Sequence, residues 1–572
     1  MTTEAAGSTS PDIDAIVARL ASGEHTWSRL SLIERRDLLL RISTAATDNA
    51  RKWVRIASRI KQLDSASPLV GEEWISGPYA LIGYAQALQE TLQRLAEGAE
   101  VLAGYRVGPA PGGRLTVQVL PHHTFDKLLL NGYHAEIWTT PGVTGSELRV
   151  GAGLGQRVPE RTNGVALVLG AGNIFSIPPL DLLHQLYAQN RTAVLKLNPV
   201  TDPLADVFRA IFAPMIELNL VEIVSGDTEV GAALANHPGI SAVHMTGSES
   251  THDAVVWGAG RAAAAKASGT PRLAKPMTSE LGGVCPVIIV PGKWSKTDLR
   301  YQAEHVATQR LHNSGSNCVA GQIVILSSDW AQKGDFLGAL RQALADAPAR
   351  PVWYPGCAAR VQSARSLHPA AEHIGGTPER TLLTGLDLTD VNESAFTTEY
   401  FGPVLGVAEL PGSGAEFLDA AIEAANDRLR GTLGANLIVH PKTIKELGGR
   451  LRAAIADLRY GTVGINAWTG VGYLNPRATW GAFPGHTLED VQSGIGVVHN
   501  ALLLDNTERT VVTGPFRPSP RSLVHGEMSI SPKPPWFVSN ETAGRTGRLL
   551  TSFVARPRWR ALPAIFASAL RG

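Results

Sequence analysis

Between residues 164 and 260 the chain alternates short apolar runs with amphipathic stretches, and this alternation constrains the fold more than any other feature. "GVALVLGAG" reads as a buried strand, "PPLDLLHQLYAQN" as a helix with proline in its first turn, and "TAVLKLNP" as a second strand. "PLADVFRAIFAPMIEL" is helical, "VEIVSG" extended, "TEVGAALANHP" helical again, and "ISAVHMTGS" a fourth strand. Strands and helices in this order predict βαβ units: a parallel sheet covered by helices on both faces. Residues 277–480 repeat the style with "VCPVIIVPG", "GQIVILSS", "VLGVAEL" and "GANLIVH" as strands and "EFLDAAIEAAND" as a helix.

The flanks differ. From Pro11 to about Glu100 apolar residues recur at three- and four-residue intervals, as in helices. Residues 101–160 carry strand-like pieces such as "GGRLTVQVLP", and "GSELRVGAGLGQRV" suggests a hairpin arm at about 140–160. The expected organisation is a loose tail at 1–12, a first α/β domain at 13–276 with that arm, and a second α/β domain at 277–480. A return with a strand at 481–515 and a C-terminal extension at 516–572 complete it. In the extension six arginines, Arg545 to Arg571, alternate with Leu549, Leu550, Phe553, Trp559, Leu562 and Phe566. That pattern suits a helix on a membrane surface, or a helix packed on the body and interrupted by Pro557 and Pro563.

Composition narrows the function. Lys+Arg number 52 against Asp+Glu 51, which gives no support for a nucleic-acid partner. Three cysteines in 572 residues argue against a disulfide framework, and none has metal-ligand spacing, so no metal is expected. The polar start "MTTEAAGSTSPDID" lacks a signal-peptide pattern, and the cytoplasm is the expected location.

Several short stretches carry chemistry. In "HNSGSNCVAGQ" Cys318 lies among small and polar residues whose amides can face an oxyanion; the stretch alone fits a nucleophile and a buried structural thiol equally. "TSELGGVCP" sets Glu280 before a glycine pair that allows close approach, so Glu280 is a candidate general base or a solvated strand-end charge. "AVHMTGSES" ends a strand in a turn at Gly247 and Ser248 suited to phosphate, Lys196 closes another strand, and Glu399 in "TTEYFGP" is an acceptor for a ribose diol with Phe401 beside it. Asn173 follows the first strand and can donate to an oxyanion or serve as a turn residue.

The order of these motifs is more specific than any one of them. Asn in a turn, Lys at a strand end, T-G-S, E-L-G-G, N-x-G-x-x-C-x-A and E-x-F-G-P succeed one another, and over roughly residues 30–500 the sequence resembles the aldehyde dehydrogenase superfamily. The resemblance implies an α/β, aldehyde-dehydrogenase-like fold: a Rossmann-type cofactor domain, an α/β catalytic domain and a small β oligomerisation arm, assembled as a homodimer or homotetramer. It implies NAD or NADP as cofactor and oxidation of an aldehyde to the acid. Cys318 would attack the carbonyl to form a thiohemiacetal, then a thioester. Asn173 and the Cys318 amide would hold the oxyanion, and Glu280 would activate water. Lys196 and Glu399 would contact ribose, Gly247 and Ser248 the pyrophosphate, and Phe401 the nicotinamide ring.

The sequence departs from that family in places. The usual Pro-Trp before the asparagine is Ala171-Gly172, and the run Lys196-Leu197-Asn198-Pro199 lacks the carboxylate that disfavours NADP. His252 replaces a glycine, and Ser316 replaces the usual glutamine before the cysteine. The Gly172-Asn173 turn is similar to that of fatty acyl-CoA reductases, so thioester exchange with coenzyme A is an alternative that Glu280 argues against. A catalytically silent, structural subunit is a second alternative. Trp468, Tyr473 and Trp480 near the expected pocket suit an apolar aldehyde, and equally suit a packed core.

Overall fold

The alternating segment folds as its pattern dictates. The computed structural model describes residues 11–376 and 378–572; most of the tail expected at 1–12 lies outside them. Val165–Leu169, Thr192–Lys196, Val221–Val224, Ile240–Gly247 and Met277–Leu281 form a parallel sheet. A short sixth strand, Gly494–Ile495, runs antiparallel along Met277–Leu281. Helices Ile177–Tyr187 and Ala205–Ile216 bury apolar residues against this sheet, as do the N-terminal helices Ile13–Arg29 and Leu32–Ile60. Both N-terminal helices begin with side-chain caps: Asp12 accepts from Ala15, and Ser31 and Glu34 close a capping box.

The domain boundary expected at 277 is displaced. The strand carrying Glu280 pairs with Ile240–Gly247 and so completes the first sheet rather than opening the second. The apolar run from Cys285 to Ile289 lies in the second sheet, and the Gly282–Gly283 pair between them is the crossing point.

The second sheet has eleven strands. Its parallel centre contains Cys285–Ile289, Gly321–Ser327, Val404–Leu410, Gly434–Ile438 and Thr462–Ile465. Thr507–Thr513 pairs in parallel with Thr462–Ile465 and antiparallel with His134–Thr139, which joins Arg114–Leu120 and Val107–Ala110. The β arm therefore uses residues 107–139, not the expected 140–160. Residues Gly145–Gly151 are helical instead, because Thr144 and Glu147 form a capping box that starts a helix there.

The C-terminal extension packs on the body. Helix Ala543–Ala555 crosses Val70–Trp74 closely: a Cβ on Gly71 would overlap Ala543, and one on Gly547 would reach Trp74 at 3.0 Å. Leu562–Ala569, with Pro563 in its first turn, folds back on it. Among the described residues no helix is long and apolar enough to cross a membrane.

Candidate active site

A cleft of about 880 Å³ opens at the C-terminal ends of the first sheet's strands and runs to the second sheet. Asn173, Lys196, Gly247, Ser248, Glu280, Cys318, Glu399 and Phe401 all line it, although they are scattered over more than 220 residues of chain.

The cysteine is set by an unusual loop. Asn313, Ser314 and Gly315 all have positive φ (54°, 57° and 75°), a run that costs about 1–2 kcal/mol for each non-glycine residue. Hydrogen bonds hold it. The Asn313 side-chain amide donates to the carbonyls of Asn173 (3.1 Å) and Ser316 (2.7 Å), and its backbone amide donates to Glu72 (3.0 Å). Arg310 donates to the Gly315 carbonyl, and a Cβ at Gly315 would reach the Gly402 carbonyl at 2.5 Å. Beneath the loop Glu72 pairs with Arg350, and Lys61 pairs with Glu73, all nearly out of reach of solvent. Burial raises the Glu72 carboxyl, but Arg350 and His312 outweigh it and hold its pKa below the ordinary range.

Cys318 ends on that loop, 8% exposed. Burial raises its thiol well above the usual range, and the nearby Glu280 and Glu399 add to the shift. The fully buried Glu280 is pushed up to about 8 by burial, partly offset by the adjacent Cys318 thiol. The thiol and the Trp480 indole lie close to this carboxyl, yet neither Glu280 oxygen has a partner at hydrogen-bonding geometry. Two neutral groups thus face each other, and each titrates at the expense of the other. Asn173 directs its side-chain amide at the Ser316 carbonyl, 3.2 Å away, within the same wall.

The cleft's other residues fit a dinucleotide. Glu399 packs against the Gly282–Gly283 backbone so closely that a Cβ at Gly282 would overlap its carboxylate. Its Oε1 is buried without a partner, and burial raises its pKa to about 7. Lys196 is lowered by burial, opposed by Asp202 and Asp227. Ser248 caps the turn after Ile240–Gly247 through the Thr251 amide. Phe401, itself at φ 47°, stands 5.0 Å from the Tyr354 ring. The departure at Gly172 has a steric reason: a Cβ there would meet the Asn198 side chain at 2.8 Å.

On the far side of Cys318 a small apolar chamber is walled by Ile75, Ile174, Trp468, Tyr473, Trp480 and Trp536. Trp468, Tyr473 and Trp480 were visible as candidates in the sequence. Ile75 and Trp536 were not, since they come from the two flanks of the chain. Nor did the sequence single out Asp227 and Arg360 in the cleft or Glu72 and Arg350 beneath the loop. Cys285 and Cys357 are buried free thiols in the core.

The architecture is that of a two-sheet α/β protein whose dinucleotide-sized cleft ends on a buried cysteine–carboxylate pair. Residues 164–352 match the aldehyde dehydrogenase family model. An aminoaldehyde dehydrogenase of Arabidopsis thaliana is 27% identical over 269 residues, 43% of this chain and 49% of that protein. The 4,4'-diaponeurosporen-aldehyde dehydrogenase of Staphylococcus aureus is 21% identical over 257 residues, 41% of this chain and 52% of that protein. The chain spans about half the length of the curated relatives it matches. Among solved structures, aldehyde dehydrogenase C of Pseudomonas syringae, complexed with NAD+ and octanal, aligns with a TM-score of 0.55 at 18% identity, covering 90% of each chain. Gamma-glutamyl-gamma-aminobutyraldehyde dehydrogenase of Burkholderia cenocepacia aligns at 0.58 and 19%, covering 88% of each chain. The central segment is thus similar to aldehyde dehydrogenases in sequence, and the chain shares their fold.

Proposed function

We propose that this protein oxidises an apolar aldehyde to its carboxylic acid with NAD or NADP, using Cys318 as nucleophile and Glu280 as base. The observation that carries the reading is that Cys318 and the fully buried Glu280 line one cleft, at the point where Cys318 also borders the apolar chamber. When bound, the nicotinamide supplies the hydride acceptor; Lys196, Ser248, Glu399 and Phe401 would hold the cofactor. Glu280, once ionised, takes the thiol proton as Cys318 Sγ adds to the carbonyl carbon to form the thiohemiacetal. The Asn173 amide and the Cys318 backbone amide face the oxyanion of that adduct. After oxidation to the thioester, Glu280 passes that proton out through the cleft, then deprotonates water for its attack on the thioester; the C–S bond breaks, the acid leaves, and Cys318 regains its thiol proton. Trp468, Tyr473 and Trp480 keep bulk water from the sulfur.

The test is turnover of an aldehyde panel with NAD or NADP, with and without coenzyme A. Reduced nicotinamide formed without coenzyme A, and lost in Cys318→Ala, is expected. Strict dependence on coenzyme A overturns the hydrolytic step, and no turnover under any condition overturns the enzyme.

A further inference from the structure

A second cavity, of about 350 Å³, lies beyond the chamber at Cys318, and the two are continuous in their walls. Ile75, Leu474 and Trp536 line both. Its volume falls within the range of small-molecule sites. Tyr79, Gly83 and Ala87 on the helical stretch Ile75–Ala96 form one side, and Leu129 and Tyr133 another. The remaining wall is the C-terminal extension, through Leu550, Phe553, Ile565 and Phe566. That wall is built rather than incidental. Phe553, Leu562 and Ile565 form their own apolar cluster with Phe125, Leu128 and Leu129, and the Phe125 ring meets Phe553 at 5.1 Å and Trp559 at 4.9 Å.

Polar residues are the minority of the lining: Gln86, Asn475, Ser531 and Thr546, with the charged or titratable Glu90, His123, Asp126 and Arg477. Arg477, almost wholly buried, donates to Glu90 at 2.6 Å and to His123 Nε2 at 2.7 Å, while Glu90 and His123 reach solvent. A guanidinium already pairs the carboxylate, so these three residues present a compensated polar edge. Most of the lining offers rings and branched aliphatic side chains.

We infer that this cavity receives the extended hydrocarbon chain of the aldehyde, and that residues 543–569 set the chain length accepted. This rests on the reading of Cys318 as the nucleophile. Trp536 stands where the two spaces meet, so the reacting carbon sits at the sulfur while the chain passes the indole into the cavity. Each methylene that moves from water into such walls multiplies affinity by about three to four.

The test is kcat/KM over saturated aldehydes from butanal to hexadecanal, beside calorimetric binding of hexadecanol without turnover. In the native protein kcat/KM climbs about threefold or more per methylene through the middle of the series. Gly83→Phe projects a ring into the cavity from a helix position whose neighbours, Pro476 and Val554, lie 3.7 and 3.8 Å from a Cβ. It ends the climb at a shorter chain and leaves butanal within twofold. Phe566→Ala moves the optimum to longer chains. A flat profile in the native protein, or equal losses on butanal and hexadecanal in Gly83→Phe, overturns the inference while the dehydrogenase reading stands. Hexadecanol binding that Gly83→Phe abolishes, with no aldehyde of any length oxidised, upholds the cavity and removes the dehydrogenase reading. Should Gly83→Phe not fold, the native profile and hexadecanol binding alone decide.

Discussion

The side-chain amide of Asn173 donates to the carbonyl oxygen of Ser316 at 3.2 Å, tying the turn after the first sheet's opening strand to the loop that carries Cys318. In the proposed function the same amide also donates to the oxyanion. Replacing Asn173 with alanine removes the donor without introducing a clash. The expected result is a fall of about 10²–10³ in kcat with KM for the aldehyde little changed, the pattern for an interaction made with the oxyanion alone. Steady-state kinetics on the variant, with circular dichroism to verify the fold, checks it.

Glu280 accepts a proton only once it has lost its own, and burial holds its pKa near 8. The expected kcat/KM therefore rises with pH through about 8. In Glu280→Gln formation of the thioester and its hydrolysis both slow, hydrolysis by about 10² or more. Stopped-flow measurement of reduced nicotinamide resolves the first turnover from the steady state. A variant with a first turnover as fast as the native protein's would show that Cys318 loses its proton without Glu280.

The same carboxyl makes a prediction about stability. Below its unfolded pKa of 4.5 Glu280 is protonated in both states. Above that value the unfolded chain ionises while the folded protein keeps the proton until about pH 8. The native protein thus loses stability across this window, and Glu280→Gln does not. Relative to the native protein, the variant should gain on the order of 4 kcal/mol by pH 8. Denaturant melts of both proteins at pH 5 and pH 8 measure the divergence.

Beneath the loop that carries Cys318, Glu72 receives both the Asn313 amide and the Arg350 guanidinium. Arg350→Met leaves a buried carboxylate short of its cation and is expected to cost about 3–5 kcal/mol. Because Glu72 also braces Asn313, Cys318 should become more reactive toward a bulky alkylating reagent in this variant. The rate of labelling and the unfolding midpoint report the two effects separately.

The sequence disclosed most of the first sheet because its strands are short, apolar and separated by helices of ordinary length. Its ordered motifs, which mark loops at strand ends, also pointed to Asn173, Lys196, Gly247, Ser248, Glu280, Cys318, Glu399 and Phe401 in the cleft, but not to Asp227 or Arg360. It misplaced the β arm because "GSELRVG" has strand-like composition, while its Thr144–Glu147 cap decides for helix. It placed the domain boundary before Met277 because an apolar strand carries no sign of which sheet it will join. Arg350, Trp536 and Ile75 carry no local signal at all: their roles arise only when segments hundreds of residues apart pack on Cys318.

Gly282 shows how a glycine can serve a distant residue. Its φ is not in the left-handed region, so the backbone does not demand glycine there. What demands it is Glu399, whose carboxylate lies where a Cβ would stand. Gly282→Ala must push Glu399 aside or shift the strand end that bears Glu280. The second course would disturb the buried Glu280–Cys318 pair, so the cheaper one is to move Glu399 in the cleft. Affinity for the nicotinamide cofactor should then fall about tenfold, as for loss of one hydrogen-bonded pair worth roughly 1.5 kcal/mol. Glu399→Gln, which keeps the shape, should cost less. Cofactor binding by fluorescence titration distinguishes these outcomes: equal affinity in Gly282→Ala and the native protein would show that Glu399 takes no part in holding the cofactor.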